Sequence, residues 1–442
     1  MLTTLFSISF FLSQFLIPNR YSSIEVIRGY ELLLPEYNTG YWLGYGVHIA
    51  NIYWLLFFLV IFKEKILANF IIFFRRFSYV IMPSILFFFT TFFISNSNSP
   101  FIELSVVWLL QYCQLFVAAL GLVIFYQQKF SDRYFKQIIR ASIVIQFVIS
   151  VWQFFKKSMV GFPFEQWNQG AFYTGLDENN AYFRVQGTMG FHNQLALIVA
   201  FMVMSYLPYL LKSNQKDDYL LIILGLITVV LTQSRSVWLM LLLGLVVFVL
   251  FFPVQCKKIW KNYVGYRQRI ILYVIVFFLS FVIIPRVLLS LNTFYDGAGV
   301  PIRVKMIKEG WEAFIQNPFF GYGVGTNEYT LHSFKPLGLM AVFPAAVHLA
   351  YLQLVLEVGW FGLLFLLFPF VYILRKMFLI SRKNLTHYQK IFLYRFVSGL
   401  FLFGGYYLFL PHVGVIEAPF LGLVLGAGII YVEERKKYEK NP

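Results

Sequence analysis

The chain has 442 residues, of which 59% are apolar, 21% aromatic and only 13% charged, with 53 phenylalanines. Its mean hydropathy is +0.70. A soluble fold could not cover that much apolar surface with so little polar surface, and apolar runs of roughly 20 residues, enough to cross a ~30 Å hydrocarbon core, recur along the whole length. The composition specifies a polytopic membrane protein and excludes a secreted enzyme, a soluble cytosolic enzyme and a nucleic-acid-binding domain.

Lys plus Arg is 36 against 20 Asp plus Glu, a formal net charge of +16. In a membrane chain that excess belongs in cytoplasmic loops facing anionic lipid, not on nucleic acid. The two cysteines, Cys113 and Cys256, supply neither a disulfide framework nor a zinc site. Met1 to Ile17 is apolar but lacks a basic leader and a small-residue cleavage site, so it reads as a first membrane helix and not as a removed signal.

Twelve apolar segments follow in chain order: 2–17, 41–62, 77–95, 101–126, 138–155, 191–211, 219–233, 236–254, 270–290, 346–374, 391–410 and 413–432. The expected fold is an all-α, polytopic membrane helix bundle of about 12 transmembrane helices, forming one integral domain over residues 1–442. With the N-terminus placed in the cytoplasm, 24 basic residues fall on inner loops and the tail and 11 on outer loops, while Arg395 falls within a span. The positive-inside rule therefore puts both termini in the cytoplasm. Three outer loops are long, at 18–40, 156–190 and 291–345, and long loops tend to carry function where short ones only connect. No 20–50-residue repeat and no inverted repeat is visible.

The third outer loop holds the most information. Val300-Pro301 opens a helical pattern in which Ile302, Met306, Ile307, Phe314 and Ile315 recur on one side, and Asn317-Pro318 ends it. This pattern predicts an amphipathic helix lying in the outer interface. Gly321-Tyr322-Gly323-Val324-Gly325 follows. A dinucleotide fingerprint would need a preceding strand, so a plain turn is the reading, with Gly321 and Gly323 able to admit a close ligand. Then comes His348, at the mouth of the tenth span with Tyr351 on its face. It reads either as an interfacial side chain or as a functional base. His192 opens another span beside Asn193, and both are candidates for lining the same cavity.

Arg235 stands between two apolar runs in Thr232-Gln233-Ser234-Arg235, with barely a turn to expose it. It either snorkels to headgroup phosphate or holds an anion in a polar cavity. Arg184 and Arg303 occupy comparable places beside other spans. Three outer arginines with few carboxylates nearby suit a diphosphate, whose oxygens a guanidinium grips in a bidentate manner.

These pieces resemble a family. Arg184…Gly187…Gly190-Phe191-His192-Asn193-Gln194, then Thr232-Gln233-Ser234-Arg235, then Arg303…Trp311…Pro318…Gly321-Tyr322-Gly323, then His348…Leu352…Glu357-Val358-Gly359…Gly362 occur in the order of the O-antigen ligase and polymerase superfamily, bacterial integral membrane glycosyltransferases. The resemblance covers residues 180–375. It departs at Leu349, where asparagine commonly follows the histidine, and at Ser236, where Gly or Ala commonly follows the Ser-Arg pair. The resemblance implies a glycan donor on undecaprenyl diphosphate, attacked by an acceptor hydroxyl at the outer face of the cytoplasmic membrane. The acceptor would be a lipid or glycan such as lipid A core. The resemblance also implies no metal, no nucleotide sugar and no other cofactor. Arg235 and Arg303, with Arg184 as a third, would engage the diphosphate, and His348 would serve the acceptor. A ligase, a polymerase using the same chemistry, and a transporter are the three readings. Against transport, polar groups gather at one face and few ionisable residues lie in the spans.

Overall fold

The computed structural model describes residues 23–27, 45–48, 74–95, 97, 99, 102–127, 132–161, 173–174, 182–189, 191–211, 216–254, 256–257, 300–338, 349–379, 385–408 and 417–440. Helices dominate. Four of them are long and apolar enough to cross a membrane among the described residues: Ser78–Ser95, Phe135–Lys156, His192–Leu210 and Ala350–Leu379. The expected segments 2–17 and 270–290, and His348, lie outside the described residues.

Two short ribbons accompany the helices. Strand β1 (Ser23–Ile27) pairs antiparallel with β2 (Tyr45–His48), and β3 (Tyr173–Thr174) pairs with β4 (Tyr182–Phe183). Strand β2 lies within the expected segment 41–62, of which only residues 45–48 are described, and these are extended. Its Tyr45-Gly46-Val47-His48 run sets two good strand formers around a glycine that weakens a helix, and β1 supplies the partner.

The elements fall into two compact groups. One comprises Met1–Tyr21, Tyr126–Asp296 and Leu385–Tyr406; the other comprises Ser22–Phe125, Gly297–Asn384 and Tyr407–Pro442.

In the second group, α1 (Ser78–Thr90) continues as a π-helical turn over Thr91–Ser95, and α2 (Ile102–Gln127) follows. In the first group lie α3 (Asp132–Lys156), α4 (His192–Leu210), α5 (Lys216–Leu231) and α6 (Arg235–Phe251). Helix α4 is buried from Leu195 to Leu210 and forms the middle of its group, packing on α3, α5 and α6. Helix α6 buries Val237, Met240, Leu241 and Phe248 and turns Leu239, Leu242, Val246 and Leu250 outward, as a helix between a bundle and lipid must. At the other end of these helices Asp218 is fully buried, held by Lys136 Nζ at 2.7 Å and by the Tyr206 hydroxyl. Arg395 lies inside α10 (His387–Tyr407), which overlaps the expected segment 391–410. It donates to the Ser205 carbonyl and to the Tyr209 hydroxyl (2.8 Å) and sits over the Phe135 ring. A buried charge persists here because its hydrogen bonds are made inside the protein.

The second group also holds α7 (Val300–Gln316), α8 (Asn327–Phe334), α9 (Ala350–Leu379) and α11 (Glu417–Lys440). Helix α7 is the amphipathic helix read from sequence, and it ends where Asn317-Pro318 predicts. Ala313 and Phe314 pack with Leu331 of α8 and with Leu352, Val355 and Leu356 of α9. Val304, Trp311 and Ile315 remain at least half exposed on its other side. Helix α1 packs on α9, with Tyr79 and Tyr372 stacked 4.5 Å apart, and Arg76 pairs with Glu433 of α11 at 2.5 Å.

Candidate active site

The turn between α5 and α6 carries one cluster of candidate residues, within the first group. Thr232 Oγ1 donates to the Val229 carbonyl (2.6 Å) and accepts from the Ser234 amide (3.3 Å), closing the end of α5 locally. Gln233 takes φ +55, the left-handed region that a non-glycine residue occupies only when its surroundings enforce it. Those surroundings are visible: its carbonyl accepts from Arg184 Nη2 and its Nε2 donates to the Phe183 carbonyl, both at 3.2 Å. Ser234 Oγ donates to Asn193 Oδ1 (2.8 Å), tying the turn to the start of α4. Trp238 Nε1 reaches back to the Val229 carbonyl (3.0 Å).

Arg235 is the first residue of α6 and is exposed, while Thr232, Gln233 and Ser234 are buried. Ser234 makes no side-chain cap, and no acidic residue lies in the first turn. The amides at a helix start and its dipole both favour an anion, and a cation there is opposed by ~0.3–1 kcal/mol. Helix start and guanidinium therefore both favour an anionic ligand. Arg303 repeats the arrangement in the other group: it is exposed in the first turn of α7, where no acidic residue lies either.

The second group holds its own cluster, an interlock between the glycine loop and a break in α9. Gly359 (φ +66, ψ −175) interrupts α9, leaving carbonyls and amides on either side without helical partners. The loop supplies them. Tyr322 and Gly323 amides donate to the Leu356 and Glu357 carbonyls (3.0 and 2.9 Å), and the Trp360 and Phe361 amides donate to the Pro318 and Phe319 carbonyls (2.9 and 3.2 Å). A Cβ on Gly359 would collide with the Phe319 carbonyl, and one on Gly321 with the Glu357 carbonyl. Tyr322 completes the seam by donating its hydroxyl to the Ala313 carbonyl (3.0 Å), and burial pushes its phenol above the ordinary value. Glu357 itself is buried; its Oε1 accepts from Asn327 Nδ2 and Gln353 Nε2, each at 2.9 Å. Broken backbone at membrane depth is tolerated only when satisfied in this way.

The sequence-selected residues thus divide. Arg184, Asn193 and Arg235 meet at the Thr232–Ser234 turn, with Arg184 buried and His192 buried at the head of α4. Arg303, Gly321, Gly323 and the half-buried Tyr351 belong to the other group, where Gly321 and Gly323 are packed against protein. His348 is outside the described residues; Leu349, next in the chain, packs on the cluster of Ala313, Phe314 and Leu352. Among the described residues no group of three or more His, Cys, Asp or Glu is arranged to hold a metal ion.

Sequence reasoning overlooked Gln146 and Gln153, and named Gln233 and Glu357 only as parts of motifs, without a role. The available signal was polarity out of place: Gln146 and Gln153 recur two helical turns apart inside an apolar span, and Glu357 sits in another.

Residues 220–367 match the family model described as O-antigen ligase (Wzy_C). The matched segment contains Arg235, Arg303, the glycine loop, His348 and the α9 break. No curated protein matches the chain. The matched stretch is similar to the O-antigen ligase family, and the long apolar helices mark an integral membrane protein.

Proposed function

We propose that this chain, similar over residues 220–367 to the O-antigen ligase family, transfers a glycan from an undecaprenyl-diphosphate donor to an acceptor hydroxyl, as a ligase of surface polysaccharide, at the outer face of a bacterial cytoplasmic membrane. The observation that carries the reading is Arg235: a guanidinium exposed on an uncapped helix start, fixed by a buried, strained turn. Arg303 on the first turn of α7 is its counterpart, and Arg184 is the third arginine of the donor site.

The chemistry follows from these groups. Diphosphate leaves readily when preorganised cations meet its growing charge. The acceptor hydroxyl oxygen attacks the anomeric carbon and the carbon–oxygen bond to diphosphate breaks. The bonding pair stays on the diphosphate oxygen, whose charge arginine meets, and the hydroxyl proton passes to His348. Attack opposite the leaving group inverts the anomeric centre. Both termini are cytoplasmic in this reading, and residues 156–190 and 291–345 face outward. The donor, the acceptor (lipid A core or another glycan) and membrane lipid are the partners; no metal or other cofactor takes part.

The test is purified protein in nanodiscs given a lipid-linked glycan and an acceptor glycolipid. Release of undecaprenyl diphosphate with glycosylated acceptor supports the proposal; intact donor with no product rejects it. Deletion in the native host separates ligase from polymerase. Accumulated full-length lipid-linked polymer is the ligase outcome, and single repeat units are the polymerase outcome.

A further inference from the structure

Gln146 and Gln153 of α3 are both 0% exposed, and both spend their amides on one short segment without regular structure. Gln153 Oε1 accepts from the Gln186 and Gly187 amides (3.0 and 2.9 Å), and its Nε2 donates to the Gly187 carbonyl (3.0 Å). Gln146 Oε1 accepts from the Thr188 amide (3.2 Å), and its Nε2 donates to Thr188 Oγ1 (2.7 Å). The segment is enclosed: Val185, Gln186, Thr188 and Met189 are each at most 1% exposed. Irregular backbone buried in a membrane bundle needs every polar group matched, and here two glutamines supply much of the matching. Gly187 is at φ +55, and a Cβ there would lie 2.5 Å from Gln146 Oε1, so the fit leaves no slack.

The same segment begins at Phe183 and Arg184, the two residues that latch Gln233 by its side chain and by its carbonyl. Gln233 in turn holds a left-handed conformation two residues before Arg235. The bonds form one continuous path: α3 amides, the 186–188 backbone, Phe183 and Arg184, the Gln233 turn, the start of α6.

We propose that Gln146 and Gln153 are positioning residues for the donor site: they fix the segment bearing Arg184, and through the Gln233 latch they fix the direction in which Arg235 is presented. This inference rests on the reading of Arg235 as a diphosphate-binding residue. Methionine is the informative replacement for either glutamine, since it fills similar space with neither donor nor acceptor.

The experiment measures affinity for undecaprenyl diphosphate, with thermal midpoint, on the full chain in nanodiscs. The variants are Gln153→Met, Gln146→Met, Arg235→Ala and each Met variant combined with Arg235→Ala. Misplacing a binding group by an ångström costs up to ~10²-fold, so each Met variant is expected to bind on the order of 10-fold to 100-fold more weakly. In the Arg235→Ala background the Met change is expected to cost less than in the wild-type background, because the part of its effect that runs through Arg235 is gone and only the part through Arg184 remains. Wild-type affinity in both Met variants, with binding lost in Arg235→Ala, overturns the positioning role and leaves the donor reading intact. Losses that multiply in the double variants also overturn it, since they indicate a general structural effect. Failure of both Met variants to fold assigns the amides to folding and overturns it too. Unchanged binding in Arg235→Ala removes the donor reading itself.

Discussion

Asn327 Nδ2 donates to Glu357 Oε1 at 2.9 Å across 30 residues of chain, from the start of α8 to the last turn before the break in α9. One buried carboxylate thereby ties three features together: the glycine loop, the helix that follows it and the interrupted span. The same oxygen accepts from Gln353, so the bond belongs to a network and not to a single pair.

Glu357→Ala should destabilise the protein clearly. It strands two buried amide donors, each costing ~1–3 kcal/mol when unsatisfied. Glu357→Gln keeps the volume and an acceptor oxygen and should cost less. Thermal unfolding of detergent-solubilised protein checks the order; an Ala variant as stable as wild type would dissolve the network argument.

Gly359→Ala should be at least as damaging as Glu357→Ala. A left-handed φ costs a side-chain-bearing residue of order 1–3 kcal/mol, and here the added methyl also meets the Phe319 carbonyl. Its effect should include exposure of the glycine loop, read as faster proteolysis between α7 and α8. Slow proteolysis with a normal midpoint would show that the interlock can yield.

Some of this was legible in the sequence and some was not, for identifiable reasons. Helix α7 was legible because Pro301 and Asn317-Pro318 bracket a clear amphipathic period. The exposed Arg235 was legible because three polar residues between apolar runs leave little room for anything but a turn. The break at Gly359 was hidden, since a glycine in a long apolar run reads equally as close packing, and only partners distant in the chain make it a break. Strand β2 was hidden because its pairing with β1 is non-local and its composition suits a membrane segment. Arg184 was legible as a residue worth naming, but its latch on Gln233 depends on the α3 amides, which no local pattern links to it.

The orientation has a direct chemical test. In protein lacking Cys113 and Cys256, cysteine introduced at the exposed Gln316 of α7 should react with an impermeant maleimide in intact spheroplasts. Cysteine at the exposed Arg375, near the end of α9, should react only after permeabilisation. The reverse pattern would invert the topology and move the arginines to the cytoplasmic side.

Arg235 and Arg303 are both exposed, so removing either should leave stability nearly unchanged. Function should fall sharply instead. Hydrogen bonds to a charged partner contribute ~1.5–3 kcal/mol, so Arg→Ala at either site should weaken donor binding roughly 10-fold to 150-fold. Arg235→Lys should be intermediate, because an ammonium cannot reproduce a bidentate contact. A folded Arg235→Ala protein with normal transfer would take this residue out of the mechanism.

His348→Ala separates the base from the binding groups. His348 precedes Leu349, which is seated on the apolar cluster shared by α7, α8 and α9. The proposed chemistry needs a group that takes the acceptor proton while the arginines hold the leaving diphosphate, and losing a positioned base typically costs ~10²–10⁴-fold in rate. Transfer by His348→Ala should therefore become undetectable while affinity for undecaprenyl diphosphate stays near the wild-type value, because those contacts belong to the arginines. Both quantities have to be measured on one purified preparation. Transfer within a few-fold of wild type would make His348 an interfacial side chain. Loss of donor affinity together with transfer would assign it to binding or folding, and His192, at the head of α4 beside Asn193, would be the next residue to replace.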